Sequence, residues 1–223
     1  MKNLIMLITF SLLLVSCSRL PSNEMPLEPI PVVEATEIDQ PKEKPIPVDT
    51  SLTKPIVTSV KLVAIGDILI HQPVYHDAAT PQGGYDFSSM FTKVKPFLEE
   101  ADIAVANQET MIGGAELGLS GYPLFNSPYE IGDALKDSGI DIVTIANNHT
   151  LDKGEKGIVN ALNYWDSIGM TYTGAFKSEE DREDIRTVIK DGIGFSFLSY
   201  SYGTNGLPVP EDKPYLINLI DLS

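Results

Sequence analysis

Three stretches of this sequence place carboxylate, amide and imidazole side chains directly after a short apolar run. In chain order these are Asp67 and His71 after the first run, Asn107 and Glu109 after the second, and Asn148, His149 and Asp152 after the third. Carboxylates, amides and imidazoles bind hard or borderline cations such as Mg²⁺, Mn²⁺, Fe or Zn²⁺. A bound cation of this kind lowers the pKa of water and polarises a phosphoryl oxygen. A nearby histidine can protonate a leaving oxygen, so the residue types predict a metal-assisted hydrolytic site.

Each of these residues also has an ordinary structural interpretation. An aspartate after a strand often caps a turn, and two consecutive asparagines at 147–148 fit a turn with left-handed backbone angles. A single buried histidine is more often a hydrogen-bonded core residue than a ligand. The recurrence of polar groups after three successive runs favours the functional interpretation of the set.

The apolar runs themselves predict the elements that position these groups. Residues 60–65, 102–106 and 141–146 are nearly continuous apolar segments, which is typical of strands buried on both faces of a parallel or mixed sheet. Helical periodicity lies between and after them, at 87–100, 128–138 and 154–168. Because ligands bind at the carboxyl ends of such strands, an α/β fold would gather the polar groups at one edge.

The C-terminal third predicts additional β structure. Strands are expected at 171–173, 187–190 and 193–200. Gly192 lies between the last two and predicts a hairpin turn. Tyr200, Tyr202 and Asn205, near the end of the last strand, are candidates to line a pocket.

Three motifs in this part of the chain resemble those of the bacterial capsule-synthesis, CapA-type (poly-gamma-glutamate biosynthesis) proteins. The most specific is the segment ANNHTLDKG at 146–154, and the approach to it through 127–141 is also similar. Gly66-Asp67 and the triplet at 107–109 match two further motifs of that family. The resemblance extends over roughly residues 60–220.

That family resembles a branch of the calcineurin-like metallophosphoesterases, so the resemblance implies a layered α/β/β/α sandwich with a dinuclear site for divalent metal ions (Mn, Mg, Fe or Zn). It implies Asp67, Glu109 and Asn148 as metal ligands and His149 as the catalytic acid. Asn107, His71 and Asp152 are further candidate ligands. Members of the family continue with a helix and a strand that carry another histidine motif. Since no histidine follows His149, we expect the domain at 59–223 to be incomplete at its C-terminal end.

The first residues predict an export signal. The chain begins with a short positively charged segment, and an apolar segment of about a dozen residues follows. That segment is too short for a transmembrane helix but suits a signal peptide at 1–16. The sequence LVSC ending at Cys17 resembles a bacterial lipobox, which implies a diacylglycerol on that cysteine and attachment to the extracytoplasmic face of the cell membrane. An ordinary secretory signal with a chance cysteine is the alternative.

A proline-rich segment follows at 17–58. It contains eight of the 16 prolines and no aromatic residue or glycine. Proline fixes φ and removes a hydrogen-bond donor, so we expect an extended tether between the membrane and the domain. A proline-rich ligand for a partner protein is the alternative interpretation.

The net charge of the chain limits the classes of partner that it can bind. The net charge of −15 argues against nucleic acid, because a phosphate backbone would be repelled. It also disfavours direct binding of an anionic polymer unless cations bridge the two. Two functions remain: a surface metal-dependent phosphoesterase-like hydrolase, or a non-catalytic capsule assembly or export component, including a truncated relic. The partners in either case would be poly-gamma-glutamate or another envelope polymer, and the capsule synthesis machinery.

Overall fold

A computed structural model of the chain describes residues 57–221. Its centre is a parallel sheet of four strands in the order β1-β2-β3-β4. The strands are Leu62–Asp67 (β1), Ile103–Asn107 (β2), Ile142–Thr144 (β3) and Thr171–Thr173 (β4). This arrangement confirms the predicted α/β class. The predicted signal peptide and nearly all of the predicted tether lie outside the described residues.

Six α-helices connect or flank the strands within the described residues. They are Gln72–Asp77 (α1), Ser88–Phe91 (α2), Lys95–Glu99 (α3), Glu130–Asp137 (α4), Gly154–Ser167 (α5) and Glu179–Glu183 (α6). Short 3₁₀ turns occur at Ala115–Leu117 and Pro214–Leu216. Helix α5 buries the stripe of Ile158, Ala161, Leu162 and Trp165 that its sequence periodicity predicts.

The two faces of the sheet pack against different layers. Because successive side chains of a strand alternate between faces, Ala104 and Ala106 of β2 join the core formed with α4 and α5. Ile103 and Val105 face the opposite side and pack with a β-hairpin. That hairpin consists of Thr187–Lys190 (β5) and Ile193–Ser196 (β6). The succession of helices, parallel sheet and second β layer is consistent with a phosphoesterase-like α/β fold.

The hairpin turn forms where the sequence predicts it. Asp191 and Gly192 both have positive φ, at 51° and 80°, which matches the right-handed twist of a two-residue hairpin. β6 ends at Ser196, earlier than the predicted end at 200.

The region 87–100 forms two short helices rather than the single predicted helix. α2 ends at Phe91 and α3 begins at Lys95, with Pro96 in its first turn. A proline ring has no N–H to donate and collides with the carbonyl four residues earlier, so it is tolerated only in the first turn of a helix. Pro96 therefore begins a new helix instead of continuing the old one.

Two stacked tyrosines between α4 and α5 make the stability of the fold depend on pH in the alkaline range. The Tyr129 and Tyr164 rings lie with centroids 4.5 Å apart, and their hydroxyls donate to Glu116 and Asp133. Burial, followed by the hydrogen bond to Glu116, raises the pKa of Tyr129 to about 12. Burial and the hydrogen bond to Asp133 likewise raise the pKa of Tyr164.

We expect the free energy of unfolding to fall as pH rises from 10.0, the ordinary tyrosine value, towards about 12. The unfolded chain loses these protons at lower pH than the folded chain, so the stabilisation is complete below the unfolded pKa and disappears through the folded one. Urea denaturation across this range measures the slope. Lys95 and Lys213, whose pKa values are also raised, act in the same direction, so the comparison must be with a Tyr129→Phe/Tyr164→Phe variant. An unchanged slope in that variant would contradict the prediction.

Candidate functional site

The site begins where β1 and β2 end side by side. Asp67 and Asn107 are register partners, with a register shift between Ile65 and Asp67. Asn107 Nδ2 donates to Asp67 Oδ1 at 2.7 Å, and Asn107 Oδ1 accepts from Thr144 Oγ1 of β3 at 3.3 Å. The amide of Asn107 therefore links three neighbouring strand ends and holds the Asp67 carboxylate in place.

Glu109 brings a second carboxylate to the same point. Its side chain is only 14% exposed. Burial raises the pKa of Glu109, and the negative charge of Asp67 raises it further, while His149 and His71 lower it. Each of these electrostatic effects requires proximity, so the structure gathers Asp67, His71, Glu109 and His149 in one cluster.

The loop that carries His149 is built by Asn147, which the sequence analysis considered only as a turn residue, and by Thr150, which it did not single out. Asn147 Oδ1 accepts from His149 N at 2.9 Å, and Asn147 Nδ2 donates to Gln108 O at 3.0 Å. Thr150 Oγ1 accepts from Asn147 N and donates to Ile145 O. These bonds fix the turn directly after β3 and tie it to β2. Asparagine and threonine are typical of such side-chain-to-backbone turns, and this was the available signal.

The two nitrogens of the His149 ring face different partners. Nδ1 lies 2.7 Å from Asp152 Oδ2, and the same oxygen accepts from Phe125 N at 2.7 Å. Nε2 points to the carboxylate cluster, 3.9 Å from Glu109 Oε1, which is too long for a hydrogen bond. Because Asp152 Oδ2 is an acceptor, Nδ1 carries the proton in this arrangement.

Asp152 is completely enclosed. Its side chain is 0% exposed, and its Oδ1 is buried without a hydrogen-bond partner in the described part of the chain. The structure places Asp152 against the ring of His149, on the side away from Glu109, where it orients that ring.

Phe125 separates the two histidines of the cluster. Its ring meets His71 and His149 edge-on, with centroid distances of 4.9 and 4.7 Å, and is 1% exposed. Neither periodicity nor motif marks this residue in the sequence. Its apolar contacts limit the orientations of both imidazoles.

Asn148 lies on the rim of the cluster and contacts a distant loop. Its Nδ2 donates to Asn205 Oδ1 at 3.3 Å, and Asn205 Nδ2 lies 3.5 Å from His149 Nδ1. Both asparagines are exposed. The predicted site residues thus converge, and the loop at 200–206 joins them.

Within residues 57–221, no group of three or more His, Cys, Asp and Glu side chains has an arrangement that could hold a metal ion. The same residues contain no helix long and apolar enough to cross a membrane.

Gly174, directly after β4, supports the His149 loop from behind. Its φ is +107°, and a Cβ there would lie 2.7 Å from Ala146 N and 2.9 Å from Ser199 Cβ. We expect Gly174→Ala to lower the free energy of unfolding by about 2–3 kcal/mol, because backbone strain and a collision add. Gly192→Ala is the matched control, since Gly192 also has positive φ but meets nothing within 4 Å. Urea denaturation compares them, and equal losses would contradict the collision.

Comparison with known proteins identifies the family. The family model described as bacterial capsule synthesis protein (PGA_cap) matches residues 61–216, which is nearly all of the α/β domain. The chain therefore belongs to the bacterial capsule synthesis protein family, and the resemblance seen in its motifs is confirmed.

Two curated relatives are proteins of Sinorhizobium fredii, y4sH and y4uA, both described as uncharacterized. Each is 29% identical to this chain over 129 residues, which is 55% of this chain and 26% of the relative. The chain thus spans 26% of the length of these relatives.

Proposed function

We propose that this chain is a metal-dependent phosphoester hydrolase that acts on an envelope polymer during capsule synthesis. One observation carries the proposal: two carboxylates, Asp67 and Glu109, converge beside an imidazole whose far nitrogen is held by Asp152. This combination of a cation-attracting pair and an oriented proton donor is what phosphoester hydrolysis requires.

Carboxylate, amide and imidazole groups are the donor types that a divalent cation prefers, although within residues 57–221 no three His, Cys, Asp or Glu side chains are arranged to hold one. Burial, followed by the negative charge of Asp67, raises the pKa of Glu109, and a bound cation would relieve the repulsion between the two carboxylates. Asp67 and Glu109 would hold the cation, with Asn148 and His71 as further candidate ligands. Oxygen-rich sites of this type favour Mg²⁺ or Mn²⁺, and imidazole extends the choice to Fe or Zn²⁺.

The surrounding residues then have separate roles. When bound, the cation would supply an activated water and neutralise charge on the phosphoryl oxygens. His149, when protonated on both ring nitrogens, would donate its Nε2 proton to the leaving oxygen. Asp152 would accept from Nδ1 and stabilise the protonated ring, and Asn107 would orient Asp67 through its 2.7 Å hydrogen bond. Phe125 would exclude water from the space between the histidines.

Manganese titration of the full chain in detergent tests the cation site. We expect Asp67→Asn and Glu109→Gln each to weaken Mn²⁺ binding by about 100-fold, because each removes a charged ligand from the same cluster. Asp212→Asn and Glu211→Gln are the matched controls, since both residues are exposed in a turn. Unchanged Mn²⁺ affinity in the two site variants would refute the proposal.

Turnover of bis(p-nitrophenyl) phosphate separates an enzyme from a scaffold. Hydrolysis that requires Mn²⁺ and disappears in Asp67→Asn supports the hydrolase. Mn²⁺ binding without hydrolysis of aryl or alkyl phosphoesters would instead support a non-catalytic role in capsule assembly or export, the alternative that the sequence leaves open.

We also propose that Cys17 is lipidated and that residues 17–58 tether the domain to the extracytoplasmic face of the cell membrane. The lone cysteine at the end of an apolar signal supports this, and two acyl chains are sufficient for stable anchoring. Cys17→Ser is expected to release the protein from the membrane fraction, while Ser18→Ala leaves it bound. Membrane retention of the Cys17→Ser protein would contradict the anchor.

A further inference from the structure

We propose that the cavity next to the candidate site binds a neutral saccharide unit of the substrate. This inference rests on the proposed hydrolase function and names the class of group that would flank the scissile phosphoester. The cavity lies between the turn after β3 and the loop at 200–206.

The cavity adjoins the site. Its volume is about 560 Å³, and Asn147 and Asn148, which precede His149, form one wall. The opposite wall includes Asn205, whose side chain contacts both Asn148 and the His149 ring. A group bound here would therefore contact Asn148 and Asn205, the two residues that border the His149 ring.

Two tyrosines offer an aromatic surface to this space. Tyr200 and Tyr202 line the cavity and are 54% and 78% exposed. The buried Ser201 between them is anchored, since its amide donates to Asn218 O at 2.9 Å and it pairs with Leu219. Both tyrosines therefore flank an anchored position, and both contribute to the lining of the same cavity.

This lining matches the chemistry of a sugar ring. Aromatic faces pack against the apolar face of a pyranose, and amide and hydroxyl groups exchange hydrogen bonds with its hydroxyls. Asn148, Asn205 and Thr204 supply such groups at the wall.

Charge argues against an anionic polymer in the same cavity. None of the described residues that line it is charged, and the neighbouring Asp67 and Glu109 are acidic. With a net charge of −15, the protein would repel the closely spaced carboxylates of poly-gamma-glutamate at this position. We therefore expect the part of the substrate that occupies the cavity to be neutral.

Calorimetry on the full chain in detergent tests this with tetramers of glucose, galactose and N-acetylglucosamine, and with a γ-linked glutamate pentamer. At least one saccharide should bind, and Tyr202→Ala and Asn205→Ala should each weaken that binding by about five- to tenfold. Tyr202→Phe should retain it, because the ring remains. Tyr122→Ala is the matched control: Tyr122 is also 78% exposed but lines a separate cavity.

Several results would overturn the inference. These are no binding of any saccharide, binding that is insensitive to Tyr202→Ala, or tighter binding of the glutamate pentamer. Mn²⁺ titration of the same samples separates this inference from the proposed function. Mn²⁺ binding without saccharide binding refutes the saccharide cavity alone, and saccharide binding without Mn²⁺ binding refutes the hydrolase alone.

Discussion

Turnover of a phosphoester by the His149→Ala variant is expected to be about 10²–10⁴-fold lower than that of the wild-type chain. The imidazole is the proton donor placed beside the carboxylate cluster, with Nε2 3.9 Å from Glu109. Its loss leaves the leaving oxygen to depart unprotonated. Because the cation would be held mainly by Asp67 and Glu109, Mn²⁺ affinity should change by less than about threefold.

The size of this loss should depend on the leaving group. A p-nitrophenolate leaves readily without a proton, whereas an alkoxide does not, so the loss should be greater for a methyl than for a p-nitrophenyl phosphoester. His76→Ala is the matched control, because His76 is exposed at the end of α1. Equal losses for both leaving groups would contradict the role of His149 as the acid.

The convergence of the site could be predicted because it follows from parallel β topology. Asp67 and Asn107 terminate adjacent strands, and each was recognisable as the polar end of an apolar run. Adjacent parallel strands end at the same edge of the sheet, so their side chains meet although they are 40 residues apart. The α/β class and the hairpin turn at Gly192 were also predictable, because each is determined by a local sequence pattern.

The parts that were not predicted depend on long-range contacts of irregular loops. Phe125 reaches His149 from a loop without periodicity, and its amide N–H helps to hold Asp152. Asn205 was predicted to line a pocket and does so, but its contact with Asn148, 57 residues earlier, follows from no local pattern. The two helices in the region 87–100 were predicted as one for a different reason. The amphipathic periodicity continues across the helix break before Pro96, so periodicity alone does not reveal the break.

The chemical role of Asp152 also could not be predicted from its position in the sequence. Its spacing from His149 is compatible with a ligand or with a hydrogen-bond partner, and the choice depends on the shape of the turn. In the structure the turn directs its carboxylate to Nδ1 and to Phe125 N. The effect of Asp152 on a bound cation is tested by the Asp152→Asn variant.

Asp152→Asn is expected to reduce turnover by about 10–100-fold and to lower the free energy of unfolding by about 1–3 kcal/mol. The carboxylate receives two donors on Oδ2, while its Oδ1 is buried without a partner in the described residues. An amide can keep its oxygen towards both donors only by burying an NH₂ group at the unpartnered position. If it flips, the NH₂ group faces two N–H donors. In both orientations the negative charge that would stabilise a protonated His149 is lost.

Proton-detected ¹⁵N spectra of the histidine rings distinguish positioning from simple structural support, because the chain has three histidines. In its neutral form the wild-type His149 should carry its proton on Nδ1, and Asp152→Asn should shift the neutral ring towards the Nε2–H form, since the flipped amide donates to Nδ1. Asp166→Asn, which alters a half-exposed ion pair with Lys177, is the matched control and should leave both spectrum and turnover unchanged. A variant that is destabilised but keeps the wild-type tautomer and turnover would restrict Asp152 to a structural role. Mn²⁺ affinity that falls about 100-fold with the wild-type tautomer retained would make Asp152 a ligand instead.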